Sequence, residues 1–125
     1  LTARENLLLP TAFRACPSAG ADALAEELLR AVGLADKIHA YPAQLSGGQQ
    51  RRVAIARAFM NGPELILADE PTGDLDEQTE EEMMDFFLRM NKQHNTTFVL
   101  VTHNSDLASR AKQRFRMQQG VLERI

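Results

Sequence analysis

LILADEPTGDLD, residues 65–76, begins as an apolar run and turns abruptly acidic. Four apolar residues in a row, 65–68, bounded by turn residues, have strand length and no polar alternation. That pattern predicts a strand buried on both faces, as in a parallel sheet. Pro71 opens a loop that closes at Asp76, and Asp76 or Asp74 is placed to cap the helix that follows. Glu77 and Glu80 to Glu82 crowd the first turns of that helix, where the dipole favours acids. Met83, Phe86, Phe87 and Met90 give it an apolar face for the core, and Asn95 ends it. Residues 98–102 read as a second buried strand, and residues 105–111 as a short helix. Residues 115–117 and 121–122, around Gln118, Gln119 and Gly120, read as a terminal hairpin. Strand, helix, strand, helix in succession is an α/β unit.

Upstream, the chain reads as mostly helical. LSGGQQRRVAIARA, residues 45–58, starts with Ser46 and has Gln49 three residues later, a capping box for a helix running to about Met60. Asn61, Gly62 and Pro63 close it. Two glycines at a helix start cost helix propensity, about 1 kcal/mol each against alanine in an interior. They fit either a plain helix start or a backbone that something approaches closely; bare N–H groups at a positive dipole end suit a phosphate. Residues 1–9 suggest a short helix stopped near Pro10. Residues 11–20, with Pro17, Ser18 and Gly20, read as a loop. Asp22 is expected to cap a helix with Leu24, Leu28 and Val32 on one face and Gly33 at its end, before a short turn or helix at 34–38.

The 125 residues, 44% of them hydrophobic, suit one compact domain or a piece of one. A net charge of −3 and a pI near 5.6 argue against a general nucleic-acid footprint. Cys16 is the single cysteine, which excludes an internal disulfide framework and suits a reducing compartment. The apolar runs are too short to cross a bilayer, and no signal peptide is visible; Leu1 is not a start methionine, so the chain reads as a possible fragment.

Ligands of parallel α/β sheets bind beyond the carboxyl ends of the strands. The first strand delivers Asp69 and Glu70 to that edge, and the second delivers Thr102 and His103. Phosphoryl transfer needs this combination: an acid to hold Mg²⁺, another to orient water, and a polar group near the transferred phosphate. His39 and His94 have no comparable setting and read as surface residues.

In order and spacing, these segments resemble the motifs of ABC-transporter ATPases. Leu45-Ser46-Gly47-Gly48-Gln49 looks like the signature motif, and residues 65–70 resemble the Walker B strand with its adjoining glutamate. Gly73-Asp74-Leu75-Asp76 looks like the D-loop, and His103 like the switch histidine. The stretch LADEPTGDLD further resembles the lipoprotein-release and macrolide-export subfamily. The resemblance implies a partial P-loop NTPase core with parallel strands plus a helical signature subdomain, residues 1–62 being helical and 63–125 belonging to the ATPase core.

It also implies ATP and Mg²⁺ as cofactors. Glu70 would polarise the attacking water, His103 would contact the γ-phosphate, and Asp69 would help hold Mg²⁺ through water. Ser46, Gly47, Gly48 and Gln49 would face the ATP of a second, head-to-tail ATPase subunit, and Asp76 would tie the two subunits together beside it. Transmembrane permease subunits would be the other partners, with the ATPase peripheral on the cytoplasmic face of the cell membrane. Arg51, Arg52 and Arg57 are expected to be structural and outside the site.

Two departures stand out. Asp74 replaces an asparagine frequent in the subfamily and adds negative charge near the dimer contact. The phosphate loop G-x-x-x-x-G-K-[ST] occurs nowhere in the chain. The sequence therefore reads as the C-terminal half of a nucleotide-binding domain, with the Walker A half absent and the isolated piece inactive. The alternatives are a truncated, non-catalytic interaction module, or a DNA-maintenance ATPase of the same superfamily.

Overall fold

The computed structural model describes residues 1–14 and 19–125. Cys16, Pro17 and Ser18, and with them the middle of the expected 11–20 loop, lie outside the described residues.

Helix α1 (Ala3–Leu8) starts on a capping box between Thr2 and Glu5. Pro10 does not stop the chain's helical course. It sits at the start of a 3₁₀ turn (Leu9–Phe13), where a missing amide costs little. Helix α2 (Ala21–Ala31) has Gly20 at its N-cap, with φ 81°, rather than Asp22. Asp22 lies inside the first turn and pairs with Arg4 of α1. Gly33, with φ 79°, ends α2 as expected: its amide donates to the Arg30 carbonyl (3.0 Å), and the Leu34 amide donates to the Leu29 carbonyl (2.8 Å). Helix α3 (Gly47–Arg57) stops short of Met60. The amides of Phe59 and Met60 bond three residues back, so the end tightens into 3₁₀-like turns.

Strand β1 (Leu65–Asp69), helix α4 (Glu77–His94) and strand β2 (Thr97–Val101) form the expected parallel crossover, with Leu65 opposite Thr97 and Asp69 opposite Val101. Asn95 (φ 54°) closes α4. Helix α5 (Ser105–Ser109) is capped by Asn104 and ends two residues early. Strands β3 (Phe115–Gln118) and β4 (Val121–Arg124) pair antiparallel across Gln119 and Gly120, both at positive φ, the backbone a two-residue hairpin requires.

One apolar core joins the helices to the α/β unit. Phe59, just past α3, meets Phe86 of α4 edge-on at 5.1 Å and Phe98 of β2 at 5.8 Å; Phe87 lies 5.2 Å from Phe98. The strands themselves correct the expectation of burial on both faces. Ile66, Ala68, Phe98 and Leu100 are turned to the helices, whereas Leu65, Leu67, Val99 and Val101 are exposed, Leu67 by 73%. The physical reason is that α4 and Phe59 cover one face only, and among the described residues nothing covers the other.

Candidate functional site

The register that pairs Asp69 with Val101 brings the two strand ends level, so the residues that follow meet. Glu70 continues the ladder by one bond, its amide donating to the Val101 carbonyl at 2.8 Å. It then turns sharply at φ 45°, a left-handed conformation costing a non-glycine residue about 1–3 kcal/mol. Local bonds hold that turn. The Gly73 amide donates to the Glu70 carbonyl (3.2 Å), and so does Arg51 Nη1 (2.6 Å).

The Glu70 carboxylate is gripped by the end of the second strand. Oε1 accepts from the His103 amide at 2.9 Å and lies 2.6 Å from His103 Nδ1. Oε2 accepts from the Thr102 hydroxyl at 3.4 Å. The Thr102 hydroxyl in turn accepts from the Asn104 amide, 3.0 Å. With that carboxylate fixed, the His103 ring stays almost wholly open to solvent, 91% exposed. A fixed carboxylate beside an open imidazole is an arrangement for orienting water and meeting an anion. Asp69 is exposed at the end of β1.

Among the described residues, no group of three or more His, Cys, Asp or Glu could hold a metal. A lone hard carboxylate nevertheless suits Mg²⁺, which keeps several waters and is commonly held by one or two carboxylates plus phosphates.

At the start of α3, the Ser46 hydroxyl accepts from the Gln49 amide (3.1 Å), and Gln49 Oε1 accepts from the Ser46 amide (2.9 Å). The two glycines differ. A Cβ on Gly47 would meet nothing within 4 Å, whereas one on Gly48 would meet Leu75 Cδ2 at 3.2 Å and the Asp74 carbonyl at 3.7 Å. The close approach expected at this helix start is therefore made, at Gly48, by the chain's own 73–76 loop. Asp76 caps α4, its carboxylate accepting from the Thr79 hydroxyl (2.6 Å) and amide (3.2 Å). The hydroxyl first and then the amide hold this carboxyl below its ordinary range.

The structure adds residues that sequence reasoning missed. Arg51, expected outside the site, binds both the Glu70 carbonyl and the Asp74 carboxylate (2.7 Å), so the extra charge of Asp74 is paired within the chain. Glu80 accepts from Thr72 (3.0 Å) and Asn104 (3.2 Å), tying α4 to both strand-end loops. Its position in the first turn of α4, one turn beyond Asp76, was the available signal. Arg52 donates to the Val32 carbonyl and Arg57 to Asn6, the structural roles expected of them. His39 and His94 are exposed and stand apart from the site.

A sequence profile described as ABC transporter matches residues 1–73. The lipoprotein-releasing system ATP-binding protein LolD of Rickettsia bellii is 44% identical over 121 residues, covering 97% of this chain and 55% of that protein. The macrolide export ATP-binding/permease protein MacB of Rhodopirellula baltica is 43% identical over 123 residues, 97% of this chain and 18% of that protein. Among solved structures, the dimeric, post-hydrolysis ATP-binding cassette MJ0796 bound to ADP and Pi superposes with a TM-score of 0.88 at 38% identity, covering 99% of this chain and 56% of that one. The chain thus spans about half the length of the LolD protein and of the solved cassette it matches.

Proposed function

The chain belongs to the ABC transporter family, and from that premise we propose that it supplies the signature helix and the hydrolytic acid of an ATP-hydrolysing subunit that drives transport. The observation that carries this reading is the Glu70 carboxylate held by Thr102 and His103 across two parallel strand ends.

In this reading Glu70 orients and polarises the attacking water, and the open ring of His103 meets the γ-phosphate. Asp69 would help hold Mg²⁺, which when bound would supply positive charge against the phosphates. The start of α3, with Ser46, Gly47, Gly48 and Gln49, faces the nucleotide of a second subunit arranged head to tail, and Asp76 lies beside the contact. The similar cassette MJ0796, solved as a dimer in two structures, one of them with ADP and Pi, supports that arrangement. Relatives named for lipoprotein release and macrolide export support membership of that subfamily.

The chain has no phosphate loop and spans about half of those LolD relatives. The reading is therefore that residues 1–62 form the helical subdomain and 63–125 the later part of the ATPase core, together the C-terminal half of the subunit. On its own this half is expected to be inactive. No helix among the described residues is long and apolar enough to cross a membrane. Permease subunits are, in this reading, its partners at the cytoplasmic face of the membrane.

Glu70→Gln in the whole subunit tests the reading, because the amide keeps the shape but cannot act as a base. Phosphate release should fall by about 10²–10⁴-fold while nucleotide titration shows unchanged affinity. Turnover close to wild type would remove Glu70 from the chemistry.

A further inference from the structure

We propose that Arg51 is a positioning residue: its guanidinium fastens α3 to the peptide that carries Glu70 and to Asp74, holding the acid in register with the helix end at Ser46. The inference rests on the reading of Glu70 as the water-orienting acid.

Two observations carry it, and they come from different atoms. Arg51 Nη1 donates to the Glu70 carbonyl at 2.6 Å while Nη2 reaches Asp74 Oδ2 at 2.7 Å. One planar fork thus bridges the first and fifth residues of the 70–74 turn. Three residues earlier on the same helix, Gly48 packs its backbone against Leu75 and the Asp74 carbonyl. Residues three apart share a helix face, so a single face of α3, bare at Gly48 and cationic at Arg51, seats the whole loop.

The Glu70 peptide needs such an anchor. Its φ of 45° is one that a glutamate does not adopt without support. Its carbonyl otherwise accepts only the Gly73 amide, at 3.2 Å, among the described residues. Arg51 also places a positive charge beside a loop carrying Asp69, Glu70, Asp74 and Asp76, where an unpaired Asp74 would repel the other acids. Lysine at this position could not do both jobs, since an ammonium is a point donor and lacks the fork.

The test uses the whole subunit with Arg51→Met and Arg51→Lys. Arg51→Met should lower kcat by roughly ten- to hundredfold with KM for ATP unchanged, as expected of a misplaced catalytic group. Without nucleotide, it should speed hydrogen exchange at the Gly73 amide. Arg51→Lys should recover part of kcat. Unchanged kcat and exchange in Arg51→Met would overturn the proposal. So would a fall in kcat matched by a rise in KM and a lowered melting temperature, with no rescue by lysine. The exchange measurement stands apart from the chemistry. If Glu70→Gln leaves hydrolysis intact, the functional reading fails, while faster exchange at Gly73 still reports the clasp.

Discussion

At the strand ends the Glu70 carboxylate is engaged by its own chain, through the His103 amide and ring and the Thr102 hydroxyl. At the start of α3 the polar side chains of Ser46 and Gln49 engage only each other's backbone. Gly47 faces open space, and the Gly47 and Gly48 amides find no acceptor among the described residues. The contrast separates two kinds of preparation. The acid end is preorganised internally, so its geometry is fixed before any ligand arrives. The helix end is left with orphan donors and a positive dipole, which an anion from outside the chain can use. Gly48 marks the border between the two, since its bare backbone serves the chain's own loop.

After Glu70 itself, the acid end breaks most severely at His103. His103→Ala removes the ring from Glu70 Oε1 but leaves the backbone amide bond, so the carboxylate stays roughly placed while the imidazole is lost. Hydrolysis by the whole subunit should slow on the order of 10²-fold, measured as steady-state phosphate release. A normal rate would reduce His103 to a loop residue.

A smaller effect is expected at the helix end, where the two glycines should diverge. Gly47→Ala meets no atom of its own chain, so thermal melting should be unchanged or slightly raised, as helix propensity favours alanine. ATP-driven dimerisation should nevertheless weaken. Gly48→Ala brings a Cβ to 3.2 Å from Leu75 Cδ2 and should disturb the 73–76 loop as well as the dimer. Identical behaviour of the two variants in melting and dimerisation assays would erase the border drawn between them.

The smallest effect concerns the Asp76 cap. Its carboxyl is held below the ordinary value of 3.8 by the Thr79 hydroxyl and amide. A depressed folded-state value stabilises at pH above the ordinary one and ceases to do so as pH falls through the lowered one. Acidification below pH 3.8 should therefore loosen the first turn of α4 in wild type more than in Asp76→Asn, whose cap does not titrate. Hydrogen exchange at the Thr79 amide reads this directly, and parallel pH profiles would contradict it.

Much of this was legible in the chain. The capped start of the helix at Gly47, an aspartate cap on α4, the parallel pairing and the meeting of Glu70 with His103 follow from capping chemistry, apolar run length and the rule that strand ends build sites. The bare outer face of Leu65, Leu67, Val99 and Val101 was not legible. A run such as Leu-Ile-Leu-Ala states that both faces are apolar, not that both find cover. Asp22 misled because aspartate is a strong N-cap residue, yet Gly20 at positive φ turned the chain two residues sooner and left Asp22 to Arg4. Arg51 was hidden because a bond to a carbonyl 19 residues away leaves no periodic trace. Only the unusual Asp74 hinted that a cation was needed.

The central claim, that the helix end serves a nucleotide on another subunit, is tested most directly by mixing two whole-subunit variants. Ser46→Arg blocks the helix end and Glu70→Gln disables the acid end, and each alone should be inactive in phosphate release. In a head-to-tail dimer, a mixed pair joins the intact acid end of one subunit to the intact helix end of the other. An equal mixture should then recover roughly a quarter of wild-type turnover, because half the dimers are mixed and each keeps one sound site. A mixture as inactive as either variant would show that both ends act within one chain, and would contradict the account.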